Sequence, residues 1–386
     1  MRVITFLPHS RGACMSTILV EPIHTRAERE LFIKFLWKIY EGNPYWVPPL
    51  LMDRRKLMDR KKNPFYQHAD AEFYLARRDG EIVGRIAAIV NHNHNKEHNE
   101  NIGFFGFFEC INDQNVANAL FDTASSYLKS KGVTAMRGPA NPSVNDEYGL
   151  LTEGFSERPT VLLTYNPEYY VKLVEGYGFV KAKELYSYFL KQETVYTERF
   201  NRANALVKAR NSLTVRHMNM KNFHADVEIV KHLYNAAWAK NWGAVPMTDA
   251  EIDSLAADLK PIVRPELVLF AESKGKPIGF GLSLPDINTA LWYNKKGRLL
   301  PGLFQLFFRK KEINLVRVIV LGVLPEYVNS GAAGVLFYET AVAAKKLGYA
   351  YGEASWVLED NVRMVKSAEA MNGKITRRYR IYDKPI

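Results

Sequence analysis

VRVIVLGVLPEYVNSGAAGVLFYETAVAAKKLGY, residues 316–349, holds a strand, a small-residue loop and a helix in immediate succession. Val316, Val318, Val320, Leu321 and Val323 form a β-branched, apolar run whose one charge is Arg317, and the run stops before Pro325. That pattern predicts a buried strand. Asn329, Ser330, Gly331, Ala332, Ala333 and Gly334 make the turn, and an Ala-rich helix is expected to Leu347, ended by Gly348. Such a unit can hold a phosphate. Gly and Ala let the backbone approach closely, and the unpaired N–H groups of the first helical turn point at the anion. A Gly-rich turn alone serves equally as a tight connection with nothing bound, so the rest of the chain has to decide.

The chain has 386 residues, enough for two domains or one large one, and 47% apolar content suits a globular fold. A net charge of +11 asks for an anionic partner: nucleic acid, acidic lipid, an acidic carrier protein or a phosphorylated cofactor. Two cysteines, Cys14 and Cys110, provide neither a disulfide framework nor a zinc cluster, and suit a reducing cytosol. No apolar run approaches the roughly 18 residues of a membrane-spanning helix. MRVITFLPHSRGACM is too short and too broken by Pro and Arg for a signal peptide, and Met15 is an alternative start.

Internal repetition organises the chain. LARRDGEIVGR (75–85) matches FAESKGKPIGF (270–280), and NALFDTASSYLKSKGV (118–133) matches GVLFYETAVAAKKLGY (334–349). Asn166 precedes Gly178 by the same interval as Asn361 precedes Gly373. Each half is expected to run hairpin, strand, helix, strand, helix, strand, over 15–192 and 213–386. The polar stretch 191–213 is expected to be the link between them. Capping boxes are expected at Thr25–Glu28 and Thr248–Glu251. NHNHNKEHNE (91–100) reads as a polar loop rather than a metal site, despite His92, His94 and His98. MRGPANPSVNDEYGLLTEGF (136–155) reads as irregular, and TVLLTYN (160–166) as a strand.

The unit at 316–349 resembles the pyrophosphate-binding motif of the GNAT superfamily, the acyl-CoA-dependent N-acyltransferases. LGVLPEY fits the strand end, Gly331 the first glycine and Ala333 the second small position, while Val328 stands where that superfamily usually carries Gln or Arg. YNPEYYVKLVEGYGF and EDNVRMVKSAEAMNG resemble its second motif. The phrases GFFGFFE, GPANPSVNDEYGLL and YNPEYY resemble a bacterial family of tandem GNAT proteins associated with ceramide synthesis, the N-acylation of a sphingoid base. The resemblance implies an α/β fold of two GNAT units in tandem, each a mixed twisted sheet flanked by helices. It implies an acyl-CoA or acyl-carrier-protein thioester as co-substrate and no metal. It assigns Leu321, Val323, Asn329, Ser330, Gly331, Ala332, Ala333, Gly334 and Asn361 to the thioester's carrier. Asn115 and Asn118 replace Gly331 and Gly334 in the first half, so the phosphates are assigned to the second.

Acyl transfer to an amine needs a held thioester, a polarised carbonyl, a deprotonated amine and a proton for the leaving thiolate. Glu109, an acid in an otherwise apolar strand, suits a general base with a pKa raised by burial. Asn145, Asp146, Glu147 and Tyr148 form the densest polar cluster, able to hold an ammonium, accept its proton and return one to sulfur. Glu353, Glu359 and Asp360 are weaker candidates. LLPGLFQLFFRKK (299–311) suits a membrane-surface helix or a wall of an acyl tunnel, as against a core helix with a solvated end, and the basic run 54–62 could rest on an anionic surface. The expected activity is transfer of a long-chain acyl group to a lipid-like amine such as a sphingoid base, in the cytoplasm or at the inner membrane face. The alternatives are a soluble acetyltransferase acting on a small amine and a non-enzymatic nucleic-acid or carrier-binding protein, of which nucleic acid is disfavoured.

Overall fold

β1 (Ile18–Pro22), β2 (Ala69–Arg78) and β3 (Glu81–Asn91) run antiparallel, and Asp79 and Gly80 close the β2–β3 hairpin at φ 51° and 85°. Positive φ at both central residues is what a two-residue turn matched to strand twist requires. β4 (Ile102–Cys110) pairs with β3, and helix Gln114–Ser130 returns the chain to β5 (Ala135–Gly138), parallel to β4. The short β6 (Ala140–Asn141) and β7 (Glu147–Tyr148) pair with each other. β8 (Leu150–Glu153), helix Tyr169–Gly176 and β9 (Val180–Lys191) complete the first half. The second half repeats the order with β10 (Leu213–His217), β11 (Val268–Ser273), β12 (Lys276–Pro285), β13 (Leu315–Val323), helix Ala332–Lys346, β14 (Tyr351–Leu358), helix Val362–Ala370 and β15 (Lys374–Pro385). This computed structural model describes residues 17–386; Cys14 and Met15 lie outside the described residues.

The halves share one thirteen-stranded sheet because they exchange last strands. β15 lies between β5 of the first half and β9, and β9 in turn pairs with β14 of the second. Helix Gln114–Ser130 turns Val116, Ala117, Leu120, Phe121, Ala124 and Leu128 onto the first half, and each large side chain so buried contributes roughly 1.5–3 kcal/mol. Helix Ala332–Lys346 does the same for the second half with Val335, Leu336 and Phe337. Both expected capping boxes form.

Three local expectations fail, the loop at 91–100, the strand at 160–166 and the irregular stretch at 136–155. Residues 91–100 contain a helix, His92–His98, because Asn91 caps it by accepting from the His94 amide at 3.1 Å and His94 packs on the Phe104 ring. Residues 160–166 form no strand. Their backbone is satisfied by buried side chains instead of a ladder: Asp286 accepts from the Val161 amide at 2.8 Å, and Arg317 donates to the Val161 carbonyl at 2.7 Å. The polar link carries a helix, Glu198–Arg210, capped by Thr197 and polar because it buries no residue of its own. The irregular stretch 136–155 contains four short strand segments.

Under the exchanged strands lies a buried ionic network. Glu353 of β14 accepts from Thr160 (2.9 Å), Ser187 of β9 (2.7 Å), Ser355 (3.1 Å) and Arg377 of β15 (3.0 Å). Removing one partner leaves buried charge uncompensated, which costs about 3–5 kcal/mol. Arg377→Ala is therefore expected to lower global stability by about that much. Urea unfolding followed in both halves should show it as a loss shared by one transition, because β15 belongs to both; a loss confined to the second half would contradict the shared sheet.

Candidate active site

The parallel pairing of β13 with β14 runs from Leu315 opposite Tyr351 to Val318 opposite Ala354 and then stops. β13 continues to Val323 on the β12 side alone, so its other edge is free beyond the break, and Ile319, Val320, Leu321 and Gly322 are only half-buried. The first half has the same break after Phe104 and Arg137, yet all of β4 is buried. There the gap is filled by its own chain: a Cβ on Gly106 would collide with the Ala140 carbonyl, and Asn141 Oδ1 accepts from the Phe107 amide. One half is closed and the other open, although the topology is the same.

Beyond the open edge, Gly331 begins helix Ala332–Lys346 at φ 79°, a conformation that favours glycine. Ser330 Oγ accepts from the Ala332 amide at 3.2 Å. The Ala333 and Gly334 amides have no hydrogen-bond partner among the described residues. A Cβ on Gly334 would meet nothing within 4 Å, so the space above the first turn is empty. A Cβ on Gly331 would lie 2.7 Å from Val207 of the linking helix, which backs the loop. Free amides, small residues and a helix N-terminus fit an anion such as a pyrophosphate. Val328 offers no charge, but Arg363 lies over it from helix Val362–Ala370. Its Nη1 is 3.5 Å from the Val328 carbonyl and its Nη2 3.3 Å from Asn329 Oδ1. Arg363 was not among the sequence-derived candidates. Its signal was faint: a cation two residues past Asn361, which caps that helix by accepting from the Met364 amide.

The first-half cluster reaches this strand through one helix of the second half, Phe223–Trp238. Tyr234 donates to Asn145 Oδ1 at 2.9 Å, Tyr234 stacks on Trp238 at 5.1 Å, and the Trp238 ring lies against the backbone of Gly322. Asn145 also donates to the Val245 carbonyl at 3.2 Å. Asp146 accepts from Ser143 Oγ at 2.6 Å. Asp146 is exposed to solvent, yet the protein around it desolvates its carboxyl and pushes it up to about 7. Glu147 is committed: Arg54 and Asn141 both donate to it, and despite desolvation they hold its carboxyl below the usual range. Tyr148 is buried, with its phenol pushed up by desolvation.

Glu109 is enclosed separately. Tyr170 donates to it at 2.7 Å, Tyr40 lies at 3.5 Å, and the Arg85 guanidinium is 3.5 Å away. Desolvation raises its carboxyl from 4.5 to about 6 against the pull of Arg85. The three second-half acids are occupied elsewhere: Glu353 in the buried network, Glu359 and Asp360 in ion pairs of 2.7 Å with Lys181 and Lys183 of β9. Among the described residues no group of His, Cys, Asp and Glu could hold a metal ion, and no helix is long and apolar enough to cross a membrane.

No family model matches the chain. Bacterial ceramide synthase of Caulobacter vibrioides is 33% identical over 385 residues, which cover 98% of this chain and 99% of that protein. Protein YghO of Escherichia coli is 31% identical over 377 residues, 95% of each. Among solved structures, a tandem GNAT protein from the clavulanic acid biosynthesis pathway superimposes with a TM-score of 0.55 at 11% identity, covering 96% of this chain and 98% of that one. A GCN5-related glucosamine N-acetyltransferase region of a fungal multi-domain β-N-acetylglucosaminidase gives a TM-score of 0.59 at 11% identity, where 96% of this chain spans 38% of the longer protein. At such identities the structural likeness speaks for the fold, which is that of tandem GNAT units.

The raised Glu109 carboxyl has a consequence for stability. Between pH 4.5 and about 6 the folded chain keeps this proton longer than the unfolded chain, so the group's contribution falls as pH rises through that window. Glu109→Gln, always neutral, is expected to gain on the parent by about 2 kcal/mol between pH 4.5 and 7. Urea unfolding at the two pH values measures it; parallel pH dependences of parent and variant would mean Glu109 is not held in that state.

Proposed function

The chain belongs to the tandem GNAT N-acyltransferases that include bacterial ceramide synthase, and from that membership we propose that it transfers a long-chain acyl group from acyl-CoA, or from an acyl-carrier-protein thioester, to the amine of a lipid-like acceptor such as a sphingoid base. The observation that carries this is the open edge of β13, linked through Trp238 and Tyr234 to the loop of Asn145 and Asp146. A free backbone edge and a solvent-reached acid lie on the two sides of one helix.

The thioester supplies an acyl carbon with a good leaving group. Backbone amides along Leu321–Val323 donate to the developing negative charge on its carbonyl oxygen without a special side chain. The free amides of the loop 329–334 and the Arg363 guanidinium hold the phosphates, Arg363 replacing the side chain that Val328 lacks. Asn145 and Asp146 bind the acceptor as an ammonium. Asp146, poised near neutrality, takes the proton so that the nitrogen lone pair can attack. Glu147, pinned by Arg54 and Asn141, keeps the loop in place. Tyr148 and Glu109 have supporting parts, the phenol as a proton source for the departing sulfur and Glu109 as an assisting acid behind the loop. Work at the cytoplasmic face of a membrane follows from a lipid-like acceptor.

Two experiments test the division of labour. Gly334→Glu has room for its side chain and should leave melting temperature unchanged while weakening CoA binding roughly tenfold or more, since about 1.4 kcal/mol is tenfold; Arg363→Gln should weaken it roughly three- to tenfold. Calorimetric titration with CoA reads both, and unchanged affinity would move the phosphates elsewhere. Asp146→Asn should keep CoA affinity but slow transfer by roughly 10²–10⁴-fold. The parent rate should fall below pH about 7 as Asp146 gains its proton, and that limb should vanish in the variant. A parent-like rate at every pH would demote the loop to a surface turn. Faster turnover of polyamines with acetyl-CoA than of sphingoid bases with long-chain donors would favour a small-amine acetyltransferase.

A further inference from the structure

Helix Leu299–Arg309 faces the wrong way for a soluble protein. Leu300, Leu303, Phe304, Phe307 and Phe308 recur at helical spacing on one side, and each is 52–76% exposed. The helix is nonetheless firmly seated. Its one buried residue is Gly302, where a Cβ would lie 2.9 Å from Asn294 and 3.1 Å from Leu50. Arg309, Lys310 and Lys311 follow the stripe.

At its start the helix borders an open cavity of about 560 Å³, flanked by helices Arg26–Ile39 and Leu51–Leu57. Trp37, Met52 and Leu299 give it apolar walls, and Lys34, Arg55, Lys296 and Arg298 surround it with cations; no acid lines it. Lys34 and Arg55 share Glu30, at 4.0 and 2.5 Å, whereas Lys296 and Arg298 have no acidic partner among the described residues. The turn is built rather than loose: the Leu51 amide donates to the Gly297 carbonyl at 2.8 Å, and Trp37 Nε1 to the Lys295 carbonyl at 2.7 Å. Apolar walls with unneutralised cations, opening beside an outward apolar stripe, complement a molecule that is anionic at one end and apolar at the other. A second copy of the chain would bring the same cations face to face.

We propose that the cavity binds the phosphate headgroup of an anionic glycerophospholipid while the stripe of helix Leu299–Arg309 enters the same leaflet. The inference deepens the reading above and rests on it in one respect, that the acceptor is lipid-like. Helix Leu51–Leu57 turns Met52 and Arg55 to the cavity and Arg54 to Glu147. A membrane docked here therefore lies against the element that also holds the acceptor loop, and an amine can leave the leaflet without crossing bulk water.

The test uses the full chain and sedimentation with vesicles of phosphatidylcholine, with and without phosphatidylglycerol. Binding is expected only where phosphatidylglycerol is present and should fall as salt rises. Lys296→Glu with Arg298→Glu should weaken it at least about tenfold, as should Leu300→Asp with Phe307→Asp. Both double variants should keep the parental thermal shift with CoA and the parental rate on a short-chain, water-soluble amine, while losing rate on an amine embedded in vesicles. Parental vesicle binding by either variant overturns the proposal. So does release of the parent by millimolar glycerol phosphate, which would mark a site for a free anion. Binding of an acidic carrier protein in place of vesicles, lost in the Lys296/Arg298 variant, overturns it in favour of a protein dock. Vesicle binding as expected, with no transfer to any amine, would leave the lipid site standing and remove the acyltransferase reading alone.

Discussion

Two parallel strands that part company leave backbone groups in need of partners, and the break after Val318 and Ala354 is the constraint from which the rest of the molecule follows. A buried amide without a partner is costly, so a gap in a sheet must be filled by the chain, by water or by a ligand. The first half fills its own gap with Ala140 and Asn141. The second half leaves its gap open, with Ile319 to Gly322 only half-buried. From one duplicated architecture this makes a closed unit and an open one.

Beneath the open edge the chain invests in buried charge. Arg317 is pulled down to about 10 by desolvation, against the influence of Glu353, and it bonds to Ser355 and to the Val161 carbonyl. Arg377 reaches the same Glu353 from the exchanged strand. Buried ion pairs contribute little net stability compared with apolar packing, so their use here is positional. They tie β13, β14, β15 and the strandless segment 160–163 to one another where regular hydrogen bonding has run out. The exchange of β9 and β15 acts with them, because neither half can close its sheet alone.

The excess positive charge has a plain distribution. Part of it sits where phosphate chemistry is expected, with Arg363 at the small-residue loop and Lys296 with Arg298 at the cavity beside the apolar stripe. Much of the remainder is tied up on sheet surfaces, as with Lys181, Lys183 and Arg380. Side chains already paired in this way add little to the attraction of a long polyanion.

Much of the fold was legible in the sequence because its signals are local. Hairpins closed by Asp79-Gly80 and Lys274-Gly275, capping boxes at Thr25 and Thr248, and the strand, loop and helix of 315–346 depend on residues adjacent in the chain. The repeat was legible for the same reason, and so was the small-residue loop ahead of helix Ala332–Lys346. Tertiary structure alone decided the exchange of β9 and β15, since a strand's pattern says which face is apolar and not which sheet it joins. It decided that TVLLTYN, with every mark of a strand, is held by Asp286 and Arg317 instead. It distinguished among neighbouring acids, leaving Asp146 open to solvent and tying Glu147 to Arg54, because desolvation and pairing are properties of surroundings brought in from far along the chain. And it turned the apolar side of 299–309 outward: periodicity defines the stripe, but only packing decides whether protein or something else covers it.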